Sequence, residues 1–208
     1  MNWFYSFLIA GSPLVIGELL YKVFSTKREV ARKTVHVLAG LAASSFVIFL
    51  ERKEIAILMA IFVIILSLVR RYKIVKALYN VKRVSYGEIL FPLGVGLGAL
   101  VASSDLVYVY AMLILGLADT AAGIVGSRIG RKKVIATADY LKTYAGSSAF
   151  LLIASAIGIV FYIIGDASNL PGVFLVSIGL TFIEAISPFG TDNALLPTSA
   201  AFMGGFIF

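Results

Sequence analysis

One carboxylate, Asp119, lies near the middle of an apolar run from Leu106 to Val125, and the chain leaves that run through Gly126-Ser127-Arg128-Ile129-Gly130-Arg131-Lys132-Lys133. A charge at such depth costs roughly 2.5 to 3.5 kcal/mol on membrane-insertion scales, and residues of this kind usually mark an ion or substrate site. Flexible backbone and four cations beside a buried acid suit a metal-bound phosphate ester. In that reading Asp119 holds a divalent cation or accepts a proton, while Arg128, Arg131, Lys132 and Lys133 neutralise a polyphosphate. The plainer reading pairs Asp119 with a neighbouring helix and leaves the four cations to orient a loop.

Three further stretches carry similar chemistry. In Lys142-Thr143-Tyr144-Ala145-Gly146-Ser147, a lysine, small hydroxyl residues and a glycine at a helix start offer a cation, hydroxyls and backbone N–H groups to one phosphate. The alternative is that Ser147 only caps the helix. No Gly-x-x-x-x-Gly-Lys-Ser/Thr spacing occurs, which excludes an ordinary P-loop nucleotidase. In Glu184-x-x-Ser187-Pro188-x-Gly190-x-Asp192-Asn193, Glu184 falls one turn inside a membrane end, Pro188 and Gly190 break the helix, and Asp192 and Asn193 present oxygen ligands. Irregular backbone with acids at membrane depth is tolerated where it lines a cavity. Two oxygen-rich turns, at Asp119 and Asp192, suit Mg²⁺ or another divalent cation, which a few carboxylates and substrate phosphates bind together. Finally, Arg32, Lys33 and His36 lie within about one helical turn and can face one pocket.

The elements that must position these residues are membrane spans. With 60% apolar residues in 208 and a mean hydropathy of +0.99, the chain lies far from soluble composition. Cysteine is absent and histidine occurs once, which excludes disulfides, thiolate nucleophiles and multi-histidine metal sites. The net charge of +7 fits loop orientation and anionic headgroups, and no aromatic-basic module for nucleic acid is present. The amino-terminal stretch lacks a basic n-region and a small-residue cleavage pattern, so it reads as a retained first span. Apolar runs fall at about 3–23, 34–50, 54–69, 88–103, 105–127, 147–165 and 171–187, with a shorter one at 194–208. This predicts an all-α polytopic transmembrane bundle, one domain over 1–208, with about eight helical segments and seven as the alternative. Gly94-x-Gly96-x-Gly98 and Gly123-x-x-Gly126-x-x-x-Gly130 let helix backbones approach closely. Glu18 and Lys22 are spaced for an i,i+4 ion pair.

Loop charge orients the bundle. The odd connections hold 15 basic residues and the even ones 2, which places the odd connections in the cytoplasm and the N-terminus outside. Arg32, Lys33, His36, Asp119, Lys142, Glu184, Asp192 and Asn193 then all gather on the cytoplasmic side. Polar residues of purely structural use would have no reason to share one face. The connection Arg70 to Arg83 carries Ile74, Leu78 and Val81 at helical spacing opposite cations and reads as an interfacial helix on anionic lipid.

The four stretches, in this order, resemble those of the CTP-dependent lipid-alcohol kinases, the family of dolichol kinase, phytol kinase and the CTP-dependent diacylglycerol kinases. Arg32-Lys33-x-x-His36 resembles the first motif, and Gly116-Leu117-Ala118-Asp119 with Gly126-Ser127-Arg128-Ile129-Gly130 the central one. Lys142-Thr143-Tyr144-Ala145-Gly146-Ser147 and Glu184 to Asn193 resemble the last two. The resemblance implies transfer of the γ-phosphoryl group of CTP, with Mg²⁺, to the hydroxyl of a membrane lipid alcohol. It assigns Asp119 and Asp192 to the metal or to the base, with Glu184 next to them and His36 in the matched first motif. Lys142 and Arg128 clamp phosphates, Gly146 and Ser147 supply N–H donors, and Asn193 orients a ligand. Two other readings fit the same residues, a CTP-dependent cytidylyltransferase that makes a CDP-lipid and a non-catalytic membrane transporter. The sequence carries no signal for an oligomeric state.

Overall fold

The computed structural model describes residues 2–24, 28–72, 86–136, 141–165 and 169–208. Among them are eight helices: α1 (Asn2–Lys22), α2 (Arg28–Ser44), α3 (Arg52–Arg71), α4 (Gly87–Val101), α5 (Asp105–Ile129), α6 (Tyr144–Ile164), α7 (Leu170–Ile186) and α8 (Asp192–Gly204). The apolar runs of the sequence fall on these helices in order. Most of the expected interfacial helix, residues 73–83, lies outside the described residues.

Local chemistry sets the helix starts. At α3 the Glu54 carboxylate accepts from the Glu51 N–H at 2.9 Å, closing a capping box. Ser104 accepts from the Val107 N–H at 3.2 Å to start α5, and Asn169 accepts from the Gly172 N–H at 2.9 Å to start α7. Thr143, rather than Ser147, caps α6, accepting from the Gly146 N–H at 3.1 Å. The Glu18–Lys22 ion pair is present at 2.7 Å.

Three helices, α1, α5 and α6, are long and apolar enough to cross a membrane, and α4 and α7 are shorter apolar helices. Large apolar side chains such as Leu152, Ile163, Leu175 and Phe182 point outward, as they must in a bundle whose solvent is lipid. Among the described residues the molecule is an all-helical membrane bundle apart from one small hairpin.

Helix α5 is the axis of the bundle. Its Tyr108, Tyr110, Met112, Ile114 and Leu115 are fully buried, and α2, α4, α6 and α8 pack around it. Where α2 crosses α5 the backbones touch: a Cβ placed on Gly40 would lie 2.5 Å from the Gly116 Cα. Lipid tails are as apolar as leucine, so such close backbone contact is what holds membrane helices together. At this crossing α5 widens into a π-helical segment, Ile114–Ala118, that ends at Asp119.

Two features depart from the sequence reading. Helix α2 begins at Arg28, before the apolar run, and gives way after Ser44 to a 3₁₀ turn, Phe46–Ile48. Ser44 and Ser45 donate to the carbonyls of Leu41 and Ala42, both at 2.7 Å, a local bonding that competes with helix continuation. Between α5 and α6, where a loop is expected, Lys133–Ala136 (β1) pairs antiparallel with Leu141–Thr143 (β2), with Ile135 opposite Lys142. Residues 137–140 between the strands, including Asp139 and Tyr140, lie outside the described residues.

Candidate functional site

The π segment decides the surroundings of Asp119. Its N–H reaches back to the Ile114 carbonyl, so the helical register slips by one residue and the Leu115 carbonyl is left for another partner. That partner is His36, whose Nε2 lies 3.0 Å from the Leu115 oxygen and 3.3 Å from Asp119 Oδ2. Both of these groups accept, so Nε2 carries a hydrogen and donates it between them. The Phe91 ring meets the imidazole edge to face at 5.2 Å and fixes its plane.

Across the site, Lys142 is held by β2 and by two carboxylates. Its Nζ donates to Glu184 and, at 3.0 Å, to Asp192 Oδ2. Glu184 is buried and also accepts from Ser147 Oγ at 3.2 Å. Burial alone would lower the pKa of the Lys142 ammonium; the carboxylates of Asp192, Asp119 and Glu184 outweigh burial and push it upward. Lys142 is therefore a fixed cation ringed by three acids from α5, α7 and α8.

The turn before α8 places Asp192 and Asn193. Phe189 and Gly190 both have positive φ, 53° and 88°, and the Tyr86 N–H donates to the Phe189 carbonyl at 3.0 Å, tying the turn to α4. Asn193 Nδ2 donates to the Gly190 carbonyl at 3.2 Å, while Asn193 Oδ1 is buried without a partner among the described residues.

On the third side, Lys33 donates to the Gly123 carbonyl at 2.8 Å and to Ser127 Oγ at 3.3 Å, and Glu29 pairs with both Lys33 and Arg32. Helices α5 and α6 meet closely here, since a Cβ on Gly126 would lie 2.9 Å from Thr143 Oγ1 and 3.5 Å from the Gly146 Cα. The phosphate-like stretch at Lys142 and the glycines after Asp119 thus form one floor.

Arg32, Lys33, His36, Asp119, Lys142, Thr143, Gly146, Glu184, Asp192 and Asn193 all line a single cavity of about 730 Å³. Ser147 reaches it through Glu184. Arg131 and Lys132 are exposed and do not line it, and Arg128 lines a separate hollow beside Lys33 and Thr34. Thr120, which residue type and spacing do not single out, also lines the cavity. It is 7% exposed, and its Oγ1 has no partner among the described residues. A helical threonine ordinarily donates to the carbonyl four residues back, which here is Gly116 within the π segment. Its only signal in the sequence is its place directly after Asp119.

A divalent cation would need ligands from outside the protein here, because among the described residues no group of three or more His, Asp or Glu forms a ready-made metal site. Asp192 and Asn193 bring hard side-chain oxygens to the cavity lining, which Asp119 also joins. That set fits a cation whose remaining ligands come from phosphates and water.

Over 200 residues, 92% of this chain and 84% of the relative, the chain is 28% identical to phytol kinase from Synechocystis sp.. No family model and no solved structure matches it. The similarity runs nearly end to end, and each of the four motifs contributes residues to the one cavity.

Proposed function

We propose that this protein transfers the γ-phosphoryl group of CTP to the hydroxyl of a membrane lipid alcohol of the polyprenol, dolichol, phytol or geranylgeraniol type, releasing CDP and the lipid monophosphate. The observation that carries the reading is the make-up of the cavity. Acids and cations from α2, α5, β2, α7 and α8 converge at one end, while its remaining walls are largely apolar. A lipid alcohol has the same two-part character.

Phosphoryl transfer asks for alignment and charge neutralisation more than covalent chemistry. Lys142, Lys33 and Arg32 supply fixed positive charge for the phosphates, and the positive end of the α6 helix dipole, at Gly146, borders the same cavity. Asp119 takes the proton of the lipid hydroxyl as its oxygen bonds to the γ-phosphorus and the bond to the β,γ-bridging oxygen breaks. His36 holds the Asp119 carboxylate in place. Asp192 and Asn193, with Asp119 beside them, would hold Mg²⁺, which when bound shields the negative charge of the phosphates. The exposed Arg128, Arg131 and Lys132 lie outside the cavity and attract the anionic nucleotide from solution. The distribution of loop charge favours a cytoplasmic position for this end of the cavity, where the nucleotide is.

The test is a panel of nucleotides and lipid alcohols with the purified full-length protein in detergent. Lipid monophosphate and CDP from CTP support the reading. Pyrophosphate with a CDP-lipid would identify a cytidylyltransferase instead, and no turnover of any pair would favour a transporter.

A further inference from the structure

Below its charged end the cavity is walled by two matched stripes. On α2, His36, Ala39 and Ala43 line it at three- and four-residue spacing, one face of a helix, and Phe46 follows in the 3₁₀ turn. On α3, Arg70, Leu66, Phe62 and Met59 line it in the opposite chain direction. Each stripe starts with a charged or polar group and ends in apolar side chains. The third wall is α1, through Ala10, Pro13 and Leu14. At its outer end α1 meets α3, where Phe7 and Phe62 rings lie 5.2 Å apart and the Trp3 indole N–H donates to Glu54 at 3.0 Å. Phe46, 2% exposed, stands at the break where α2 ends and the 3₁₀ turn begins.

The dimensions follow from helix geometry. Ten residues separate His36 from Phe46, and at about 1.5 Å per residue the arm is roughly 15 Å deep. That is about half of a hydrocarbon core of about 30 Å. Ala39 and Ala43 leave the width that Phe62 and Met59 face from the other side. A polar ligand would find no partners there, and burying unpaired polar groups is costly. A hydrocarbon chain whose hydroxyl sits at Asp119 would continue into the arm without a break.

We propose that this arm binds the apolar tail of a single-chain alcohol, with Phe46 setting the depth to which the chain is gripped and Ala39 setting the width it passes. The inference rests on the phosphotransferase reading for the direction in which the lipid lies. Chain length beyond the arm must leave between helices into the bilayer, so the arm selects for the portion of the tail nearest the hydroxyl.

Two measurements on the full-length protein in detergent test this. In the first, hexadecanol carrying a mid-chain diazirine is photolysed without nucleotide, and labelled peptides are mapped. Label is expected on the α2 and α3 stripes, and Ala39→Phe should reduce it about tenfold, the scale on which a pocket discriminates small changes of bulk. Label confined to the outer faces of α6 and α7 would overturn the tail site. In the second, the ratio of kcat/KM for hexadecanol to that for octanol is measured with CTP. Phe46→Ala should raise the ratio and Ala39→Phe should lower it; unchanged ratios in active variants would overturn the assignment. Ala42→Leu narrows the same wall and gives the same reading where Ala39→Phe does not fold. If the arm takes label but no alcohol is phosphorylated, the tail site stands and the phosphotransferase reading falls.

Discussion

His36 Nε2 lies 3.3 Å from Asp119 Oδ2 while it also donates to the Leu115 carbonyl at 3.0 Å. Three features meet in that contact: the only histidine of the chain, the acid at the middle of its central helix, and a carbonyl released by the π segment. Because the shared hydrogen sits on Nε2, this nitrogen cannot take a proton from a substrate. In the proposed reaction its part is to aim Asp119. Replacing His36 with Ala should lower kcat by about 10- to 100-fold, the usual cost of losing an orienting partner. The KM for CTP should change little. Steady-state kinetics with saturating lipid check this, and a large rise in KM with kcat intact would show that His36 touches the nucleotide instead.

Lys142 joins Glu184 and Asp192, and Glu184 is buried. Removing one member of a buried ion pair typically costs about 3 to 5 kcal/mol, because the other charge is stranded. Lys142→Met should therefore lower the unfolding temperature sharply in detergent. Lys142→Met combined with Glu184→Leu should recover much of the stability but no activity. Recovery of activity as well would remove Lys142 from the phosphate-binding role.

Thr120 separates stability from function. Its Oγ1 is buried and unpartnered among the described residues, so Thr120→Val deletes a polar atom that makes no bond to them. Replacement by an apolar group of the same shape is near neutral or stabilising. The expected result is an unfolding temperature equal to or above that of the parent, with activity reduced about tenfold, the order of a lost hydrogen bond of about 1.4 kcal/mol to a reacting group. Thr120→Ser should retain activity. Equal activity for all three would make the hydroxyl a bystander.

The α2–α5 crossing has no room for a side chain. Gly40→Val places branched carbons against the Gly116 backbone, where even a Cβ would lie 2.5 Å from the Cα. Overpacking of this kind costs about 1 to 3 kcal/mol or more. The variant should lose thermal stability and, because the π segment lies at the same contact, also kcat. Size-exclusion profiles and melting curves in detergent report the first, and turnover per folded molecule the second.

Much of this architecture can be read from residue spacing. Apolar runs mark every helix in order because lipid-facing side chains must be apolar all along a span. Arg32, Lys33 and His36 share a pocket because one helical turn brings them to one face, and α2 begins early enough to include them. Other features depend on partners distant in sequence. The π segment is tied to the Gly40–Gly116 crossing, 76 residues apart, which no local pattern encodes. The β1–β2 hairpin lies in a basic run that reads as a loop, and its strands are only four and three residues long. The bonding of Lys142 to Glu184 and Asp192 spans 42 and 50 residues. The sequence marks each of these residues as unusual, yet only the tertiary structure joins them.

In the proposed reaction Asp119 and the charges around it move a phosphoryl group from CTP to a lipid hydroxyl. CTP radiolabelled in its γ-phosphoryl group, mixed with a long-chain alcohol, Mg²⁺ and the purified protein, tests it most directly. Label is expected in the lipid phase with stoichiometric CDP, and both should be lost with Asp119→Asn in a variant that still folds. Label that stays in the aqueous phase with the parent protein, or transfer that survives Asp119→Asn undiminished, would contradict it.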